Sequence, residues 1–225
     1  MKLLLKSLLL MIIFSTSNLL AHADDFSDGV ALYEKGDFSS AATAFRKAAD
    51  QGKADAQFNL GLMYLNGEGV AQDYAEAMSL FEKAAQQNNV RAQVNLARMY
   101  AKAKGVAPSY GKAVYWFNKA VELGYADAQY SLGVLYVTGI GVPRDYRKAF
   151  DLFSLAAEQK NASAQYQLGL MYFKGKGVEV DLVAAMKCFI LAGDYEDAVT
   201  YRKYVESKMS KKEIDEAKAQ AAQAQ

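Results

Sequence analysis

Ser109 and Lys112 are the side chains whose types and spacing come closest to a catalytic pair, because they match the motif S-x-x-K. In penicillin-recognising enzymes this serine is the nucleophile, and the motifs S-D-N and K-T-G accompany it. Neither companion motif occurs in this sequence. Ser109 also shares its register with Asp73, Asp145 and Asp181, where a side-chain oxygen can accept a hydrogen bond from a helix's first turn. The pattern therefore favours a helix cap over a nucleophile.

The sequence lacks most of the residues that a metal site or acid–base catalysis would need. The chain has one cysteine, Cys188, and one histidine, His22, so the usual ligands of a zinc site are missing. Acidic residues fall mostly on expected helix caps and solvated faces. The glycine pairs that end at Gly69, Gly141 and Gly177 lack the third glycine of a nucleotide-binding loop and follow no strand. We expect no catalytic residue, no cofactor and no metal.

Cys188 occupies a helix position that larger apolar residues hold elsewhere, at Leu80, Trp116 and Leu152. The pattern favours a small buried hydrophobe at this position. The alternative is an intermolecular disulfide or a redox-active thiol. A single cysteine forms no intrachain disulfide in either case.

Most of the sequence consists of a repeat of 36 residues, and the elements of this repeat must position the side chains named above. Five features occur four times at that spacing: Ala56, Ala92, Ala128 and Ala164, each before a glutamine; Leu60, Leu96, Leu132 and Leu168; Tyr64, Tyr100, Tyr136 and Tyr172; Gly69, Gly105, Gly141 and Gly177, each before a valine; and Phe81, Phe117, Phe153 and Phe189. Self-similarity at a period of about 20–50 residues is typical of solenoids, propellers and other arrays.

Each repeat is predicted to be a helical hairpin. In the first full repeat, apolar residues between Ala56 and Tyr64 fall at i, i+4, i+7 and i+8, which gives helix A one buried face over roughly 55–66. Glycine after that helix supplies the positive φ of a C-cap. Helix B follows from Asp73. Gly61 lies inside helix A, where glycine costs about 1 kcal/mol relative to alanine, and therefore indicates the close approach of a neighbouring helix.

The stretch from Ala54 to Val70 reads A-x-A-Q-x-x-L-G-x-x-Y-x-x-G-x-G-V and resembles the Sel-one-like repeat, a longer-looped relative of the tetratricopeptide repeat. The resemblance covers four full units, at 54–89, 90–125, 126–161 and 162–197. It implies an all-α fold, a right-handed α/α superhelical solenoid of helix-turn-helix repeats. For function it implies scaffolds and adaptors that hold other proteins.

Residues 1–23 are expected to be a cleavable secretory signal peptide. Lys2 and Lys6 precede an apolar run over 8–14, and Ala21-His22-Ala23 forms an A-x-A cleavage site. The run is shorter than the about 20 apolar residues of a membrane span, so we expect no span after cleavage. An uncleaved N-terminal anchor is the alternative. Cleavage after Ala23 would lower the formal charge from +1 to −1 and make the protein periplasmic or secreted.

The two ends of the array depart from the period. Residues 24–53 are predicted to form a short tetratricopeptide-like first repeat. Residues 198–225 are predicted to form capping helices and a tail, with a helical run over 196–209 and a last helix that starts at the S-x-x-E motif of Ser210. The alanine- and glutamine-rich end is expected to fray.

A second apolar stripe on helix A is the candidate binding surface. In the first full repeat, this stripe consists of Phe58, Leu62 and Leu65, which are spaced i, i+4 and i+7. It lies on a different face of the helix from Leu60. Stacked repeats form extended concave surfaces, and such anchors suit a peptide or a helix. The predicted groove consists of Phe58, Leu62, Leu65, Arg98, Tyr130, Val134, Tyr166, Leu170 and Phe173. Arg98 would contact an acidic group, and the alternative for the whole stripe is packing within the core.

The expected function is that of an exported, non-catalytic scaffold or adaptor that binds protein on its concave face. The partner is a protein or peptide, and neither its identity nor the oligomeric state follows from the sequence. Nucleic acid is excluded as a partner because a formal charge of +1 provides no basic stripe. Two alternatives are an envelope hydrolase that acts on β-lactam or cell-wall material and a secreted factor that engages host proteins.

Overall fold

The computed structural model describes residues 25–102, 105, 107–195 and 197–224. All regular secondary structure in these ranges is α-helical, which confirms the predicted all-α class. Twelve helices follow one another in the described ranges: α1 over 25–34, α2 Phe38–Asp50, α3 Ala54–Asn66, α4 Tyr74–Gln86, α5 Val90–Lys102, α6 Tyr110–Glu122, α7 Ala126–Thr138, α8 Tyr146–Glu158, α9 Ala162–Lys174, α10 Leu182–Leu191, α11 Ala198–Glu206 and α12 Lys211–Gln223. None of them is long and apolar enough to cross a membrane. The expected signal peptide, 1–23, lies outside the described residues.

The chain divides into two compact units, Met1–Pro108 and Ser109–Gln225, called here the N-terminal and C-terminal units. In the N-terminal unit, α2 packs against α3, α3 against α4, and α4 against α5. In the C-terminal unit, packing proceeds in the same consecutive way from α6 to α10, and α10 then contacts both α11 and α12. Consecutive packing of helix pairs confirms the predicted hairpin repeat. Helix A denotes α1, α3, α5, α7 and α9, and helix B denotes α2, α4, α6, α8 and α10.

Glycine inside helix A makes room for a phenylalanine of helix B. A Cβ atom placed on Gly133 would lie only 2.6 Å from Cε1 of Phe153, whose side chain is fully buried. The same pairing joins Gly61 to Phe81 at 2.8 Å and Gly169 to Phe189 at 2.6 Å. The predicted close approach of a neighbouring helix is therefore confirmed, and the ring of helix B is what approaches.

The two glycines of each G-x-G turn have different tasks. Gly175 ends α9 in the left-handed conformation at φ 63°, and its N–H donates to the carbonyl of Met171. Gly177 is also left-handed, at φ 75°, and a Cβ there would lie 2.5 Å from the carbonyl oxygen of Tyr146 in the preceding hairpin. One glycine therefore caps helix A, and the other lets the turn press against the start of the previous helix B.

The glutamine of each Ala-Gln pair is buried and holds neighbouring hairpins together. Gln57 is 4% exposed, and its Nε2 donates to the carbonyl of Ala49 at 3.2 Å, near the end of α2. Gln87 Nε2 in turn donates to Gln57 Oε1 at 2.9 Å. Gln159 and Gln129 repeat that amide pair at 2.9 Å in the C-terminal unit. The buried amide thus adds a second hydrogen bond to the carbonyl of Ala49, which already accepts from the backbone N–H of Gly52.

Helix caps follow the predicted positions with one correction, at Ser109. Asp73, Asp145 and Asp181 each accept from a backbone N–H of the next helix. Ser109 stands at the equivalent position before α6, but its side chain makes no capping hydrogen bond. At the end of α8 the left-handed residue is Lys160, at φ 61°, whereas Asn161 caps the start of α9.

The C-terminal segment contains two further helices. Helix α11 covers Ala198–Glu206, and a reciprocal capping box between Ser210 and Glu213 starts α12 as expected. Helix α12 continues to Gln223, so the alanine- and glutamine-rich end is helical over the described residues. The exposed fractions of Ala217 and Ala221 are 0% and 1%, and α12 packs on α10.

Candidate functional site

In the N-terminal unit, the predicted stripe lies partly in the core. Phe58 is 5% exposed, and its ring centroid lies 5.9 Å from that of Phe81. The guanidinium of Arg91 lies 4.6 Å from the centroid of the same ring. Leu62, Leu65 and Arg98 are partly exposed. Phe58 therefore packs within the unit, and the surface part of the stripe begins at Leu62.

In the C-terminal unit, α11 lies over part of the predicted stripe. Tyr166 is 5% exposed, and its ring contacts those of Tyr195 and Tyr201 at 5.8 and 6.1 Å. Phe173 packs against Tyr201 and Tyr204 at 6.3 and 5.6 Å. The capping helix thus covers these two stripe residues.

Three further stripe residues of the C-terminal unit lie at the edge of the core. The ring of Tyr130 packs 5.8 Å from that of Phe153. Val134 is partly buried against the same core cluster. Leu170 is partly exposed and lines a cavity. The structure therefore brings some of the nine predicted residues to the surface and places others in the packed interior.

A first cavity, the N-terminal cavity, lies between α1 and α3 in the N-terminal unit. Its volume is about 220 Å³, and its lining is mostly apolar. The lining residues are Val30, Tyr33, Glu34, Phe45, Asn59 and Leu62. The Tyr33 hydroxyl donates to Glu68 Oε2 at 2.6 Å, and this hydrogen bond to a carboxylate raises the pKa of Tyr33. Carboxylates of Glu34 and Glu68 give this cavity an acidic rim.

A second cavity, the C-terminal cavity, lies around α9 in the C-terminal unit. Its volume is about 140 Å³. The lining residues are Val137, Tyr146, Gln167, Leu170, Met171, Lys174 and Lys176. Val137, Leu170 and Met171 form its apolar part, whereas Lys174 and Lys176 are exposed and give it a basic rim.

The two cavities use the same positions of the repeat. Asn59 and Leu62 in α3 correspond to Gln167 and Leu170 in α9, three periods of 36 residues later. The groove predicted from the sequence included both leucines but omitted the polar residues that lie three positions before them. The missed signal was a column of polar residues at the 36-residue spacing, namely Asn59, Asn95, Ser131 and Gln167.

A larger cavity of about 420 Å³ lies on the helix B side of the C-terminal unit, and Cys188 is among its lining residues. Cys188 itself is 8% exposed, which confirms the expectation of a small buried residue. Burial raises the pKa of the thiol from 9.0 to about 12, so the thiol stays protonated at physiological pH. Within the described ranges, no group of three His, Cys, Asp or Glu residues is placed to hold a metal ion.

The Sel1 repeat family matches the chain at residues 29–53, 54–89, 90–125, 126–161 and 162–194. Among solved structures, the chain is similar to c5321, a protective antigen present in uropathogenic Escherichia coli strains that displays an SLR fold. The identity is 34% and the TM-score 0.83, over 95% of this chain and 47% of the antigen, so this chain spans about half of the antigen's length.

A Sel1 repeat protein from Oxalobacter formigenes is 31% identical with a TM-score of 0.72, over 79% of this chain and 74% of that protein. No curated protein sequence matches the chain. The resemblance that the repeat motif indicated is confirmed by the family match and by both structures. The chain belongs to the Sel1 repeat family.

Proposed function

We propose that this protein is an exported, non-catalytic adaptor that holds a segment of another protein against the helix A side of its units. The observation that carries the proposal is the recurrence of a side-chain-sized cavity at equivalent repeat positions, at Leu62 and at Leu170. Ligand sites are concave and mostly apolar with a few polar groups, and both cavities have that composition. Sel1 repeats typically mediate protein interactions, which supports the same proposal.

The non-catalytic part of the proposal rests on the surroundings of the residues that could react. Ser109 precedes α6 at a cap position, and Lys112 lies on the exposed first turn of that helix. Cys188 is buried with a raised pKa. A hydrolase with Ser109 as nucleophile would lose β-lactam hydrolysis in the variant Ser109→Ala, whereas the adaptor has no such activity in either form.

Site-specific photo-crosslinking tests the adaptor. A photoreactive phenylalanine analogue is placed at Leu62 or Leu170 in the full chain, expressed in its own host, and irradiated in cells. Leu155 is the matched control, because it is an apolar residue of helix B that is 46% exposed and lines neither of the two cavities. We expect the same discrete crosslinked protein from the two cavity positions and none from Leu155. Equal crosslinking at all three positions would contradict the proposal.

A second candidate is a secreted factor that engages host proteins. The observation that favours it is the 34% identity to an antigen of uropathogenic Escherichia coli strains. Cell fractionation separates the two candidates, because a secreted factor accumulates in the culture medium and a periplasmic adaptor is released by osmotic shock.

A further inference from the structure

Arg144 lies beside the two lysines of the basic rim, because its guanidinium is over the ring of Tyr146, which lines the C-terminal cavity. Lys174 ends α9, Lys176 lies in the turn that follows, and Arg144 precedes α8; all three are exposed. Among the described residues, none of these three side chains forms an ion pair with a carboxylate. The neighbouring carboxylate of Asp145 is already engaged, since it caps α8 and lies 3.7 Å from the ammonium of Lys148.

Aromatic rings hold these cations at the edge of the cavity. The ammonium of Lys176 lies 5.3 Å from the ring centroid of Tyr146, and the guanidinium of Arg144 lies 5.8 Å from the same ring. Lys174 lies 5.8 Å from the ring of Tyr201. A ring face attracts a cation without neutralising its charge, so the positive potential remains available to a ligand. Tyr146 also lines the cavity and therefore joins the charged rim to the apolar part.

The interior of the same cavity suits one apolar side chain. Val137, Leu170 and Met171 line it, and its volume of about 140 Å³ is close to that of an engineered cavity of about 150 Å³ that binds benzene. The Gln167 amide adds a group that can bond to a peptide backbone. A ligand that satisfies both parts of this site must carry an apolar side chain beside at least one carboxylate.

We infer that the C-terminal cavity binds an acidic peptide segment of a partner protein, with a Leu-, Ile- or Phe-sized side chain in the cavity and flanking Asp or Glu carboxylates on Lys174, Lys176 and Arg144. This inference rests on the proposed function and adds the chemistry of the partner. The N-terminal cavity provides a contrast, because Asn66 and Glu68 occupy the positions of Lys174 and Lys176 in the first full repeat. Of the two cavities, only the C-terminal cavity therefore selects an acidic segment.

Peptide display tests the inference with the purified full chain. A library of random dodecapeptides is selected on the wild-type protein, and enriched peptides are measured by fluorescence anisotropy against wild type and Lys174→Glu/Lys176→Glu. The control variant, Lys211→Glu/Lys212→Glu, changes the net charge equally at exposed residues of α12 that do not line the cavity. We expect Asp or Glu beside Leu, Ile or Phe in the enriched peptides, and at least tenfold weaker binding to the cavity variant only.

Salt and a second substitution separate the two parts of the site. Binding should weaken in 1 M NaCl, where the Debye length falls to about 3 Å. Leu170→Ala should weaken binding of the same peptides with the salt dependence unchanged. Circular dichroism confirms that each variant is folded before its affinity is interpreted.

Three outcomes would overturn the inference. Enriched peptides without acidic residues, or with equal affinity for wild type and cavity variant, would refute the assigned chemistry while leaving the adaptor intact. Charge-dependent binding of vesicles containing phosphatidylglycerol, with no selected peptide, would reassign the basic rim to a lipid surface. Failure to enrich any peptide, together with absent crosslinks at Leu62 and Leu170, would count against the adaptor itself.

Discussion

At the scale of single residues, the space around Gly133 decides the effect of adding one methyl group. We expect Gly133→Ala to lower the free energy of unfolding by up to about 2 kcal/mol, because overpacking against the buried ring of Phe153 costs about 1–3 kcal/mol and helix propensity returns about 1 kcal/mol. Urea denaturation followed by circular dichroism measures the change.

Gly111 is the matched control for this substitution. It also lies in a helix, α6, but a Cβ atom there would meet nothing within 4 Å. Gly111→Ala should therefore leave stability unchanged or raise it. A Gly133 variant that gains as much stability as the Gly111 variant would mean that the glycine serves no packing purpose.

Cys188 is predicted to be unreactive in the folded protein. The raised pKa of about 12 keeps the thiol protonated, and 8% exposure restricts access of a reagent. Reaction with Ellman's reagent at pH 8 should be slow in buffer and fast in 8 M urea. Fast reaction in buffer, at an unchanged circular dichroism spectrum, would contradict the buried position.

The same pKa shift predicts a pH dependence of stability. The folded pKa of Cys188 lies above the unfolded value, so its contribution is fully present below about pH 9 and is lost as pH rises towards 12. The free energy of unfolding should therefore fall less between pH 8 and pH 10.5 in Cys188→Ala than in the wild type. Urea denaturation at the two pH values measures this difference.

At the scale of helices, a pair of glutamine amides joins the two helices of one hairpin, α3 and the end of α4. Gln87→Leu removes the donor to Gln57 Oε1 and leaves a buried acceptor unpaired, which should cost about 1–3 kcal/mol. Gln86→Leu is the control, because Gln86 is exposed at the end of the same helix. Equal stability of the two variants in thermal denaturation would show that the amide pair contributes nothing.

Docking of α12 on α10 is the second prediction at this scale. Ala217 is completely buried and Ala219 is exposed on the same helix. Ala217→Glu should destabilise the chain by more than about 1 kcal/mol, since it forces extra volume and a charge into a packed site, whereas Ala219→Glu should be neutral. Limited proteolysis should release the C-terminal helix from the first variant only, and release from both would refute its docking.

At the scale of the whole molecule, export predicts a defined mature chain. Cleavage after Ala23 would leave a protein that starts at Asp24, carries a formal charge of −1 and has no histidine. Intact-mass spectrometry of protein purified from the envelope fraction checks this cleavage. Full-length protein in the cytosolic fraction would contradict the proposed export.

Much of the fold was predictable because the same pattern of apolar residues and glycines occurs in four full repeats. Gly61 indicated the close approach of a neighbouring helix, and the recurring phenylalanines Phe81 and Phe153 are fully buried. Ser109 was less predictable, because a cap depends on backbone geometry within one residue of the helix end. The burial of Ala217 and Ala221 was not predicted for another reason, since the composition of the tail did not reveal that α12 packs on α10.

The sequence by itself determined the helix pairs, the family and the register of the repeat, because local periodicity and glycine positions encode them directly. Tertiary structure alone decided which stripe residues remain accessible. Phe58 and Tyr166 share the pattern of Leu62 and Leu170, yet Phe81 and α11 cover the first two. The physical reason is that a helix presents its faces to several neighbours at once, and only the packing of those neighbours determines which face is left open for a ligand.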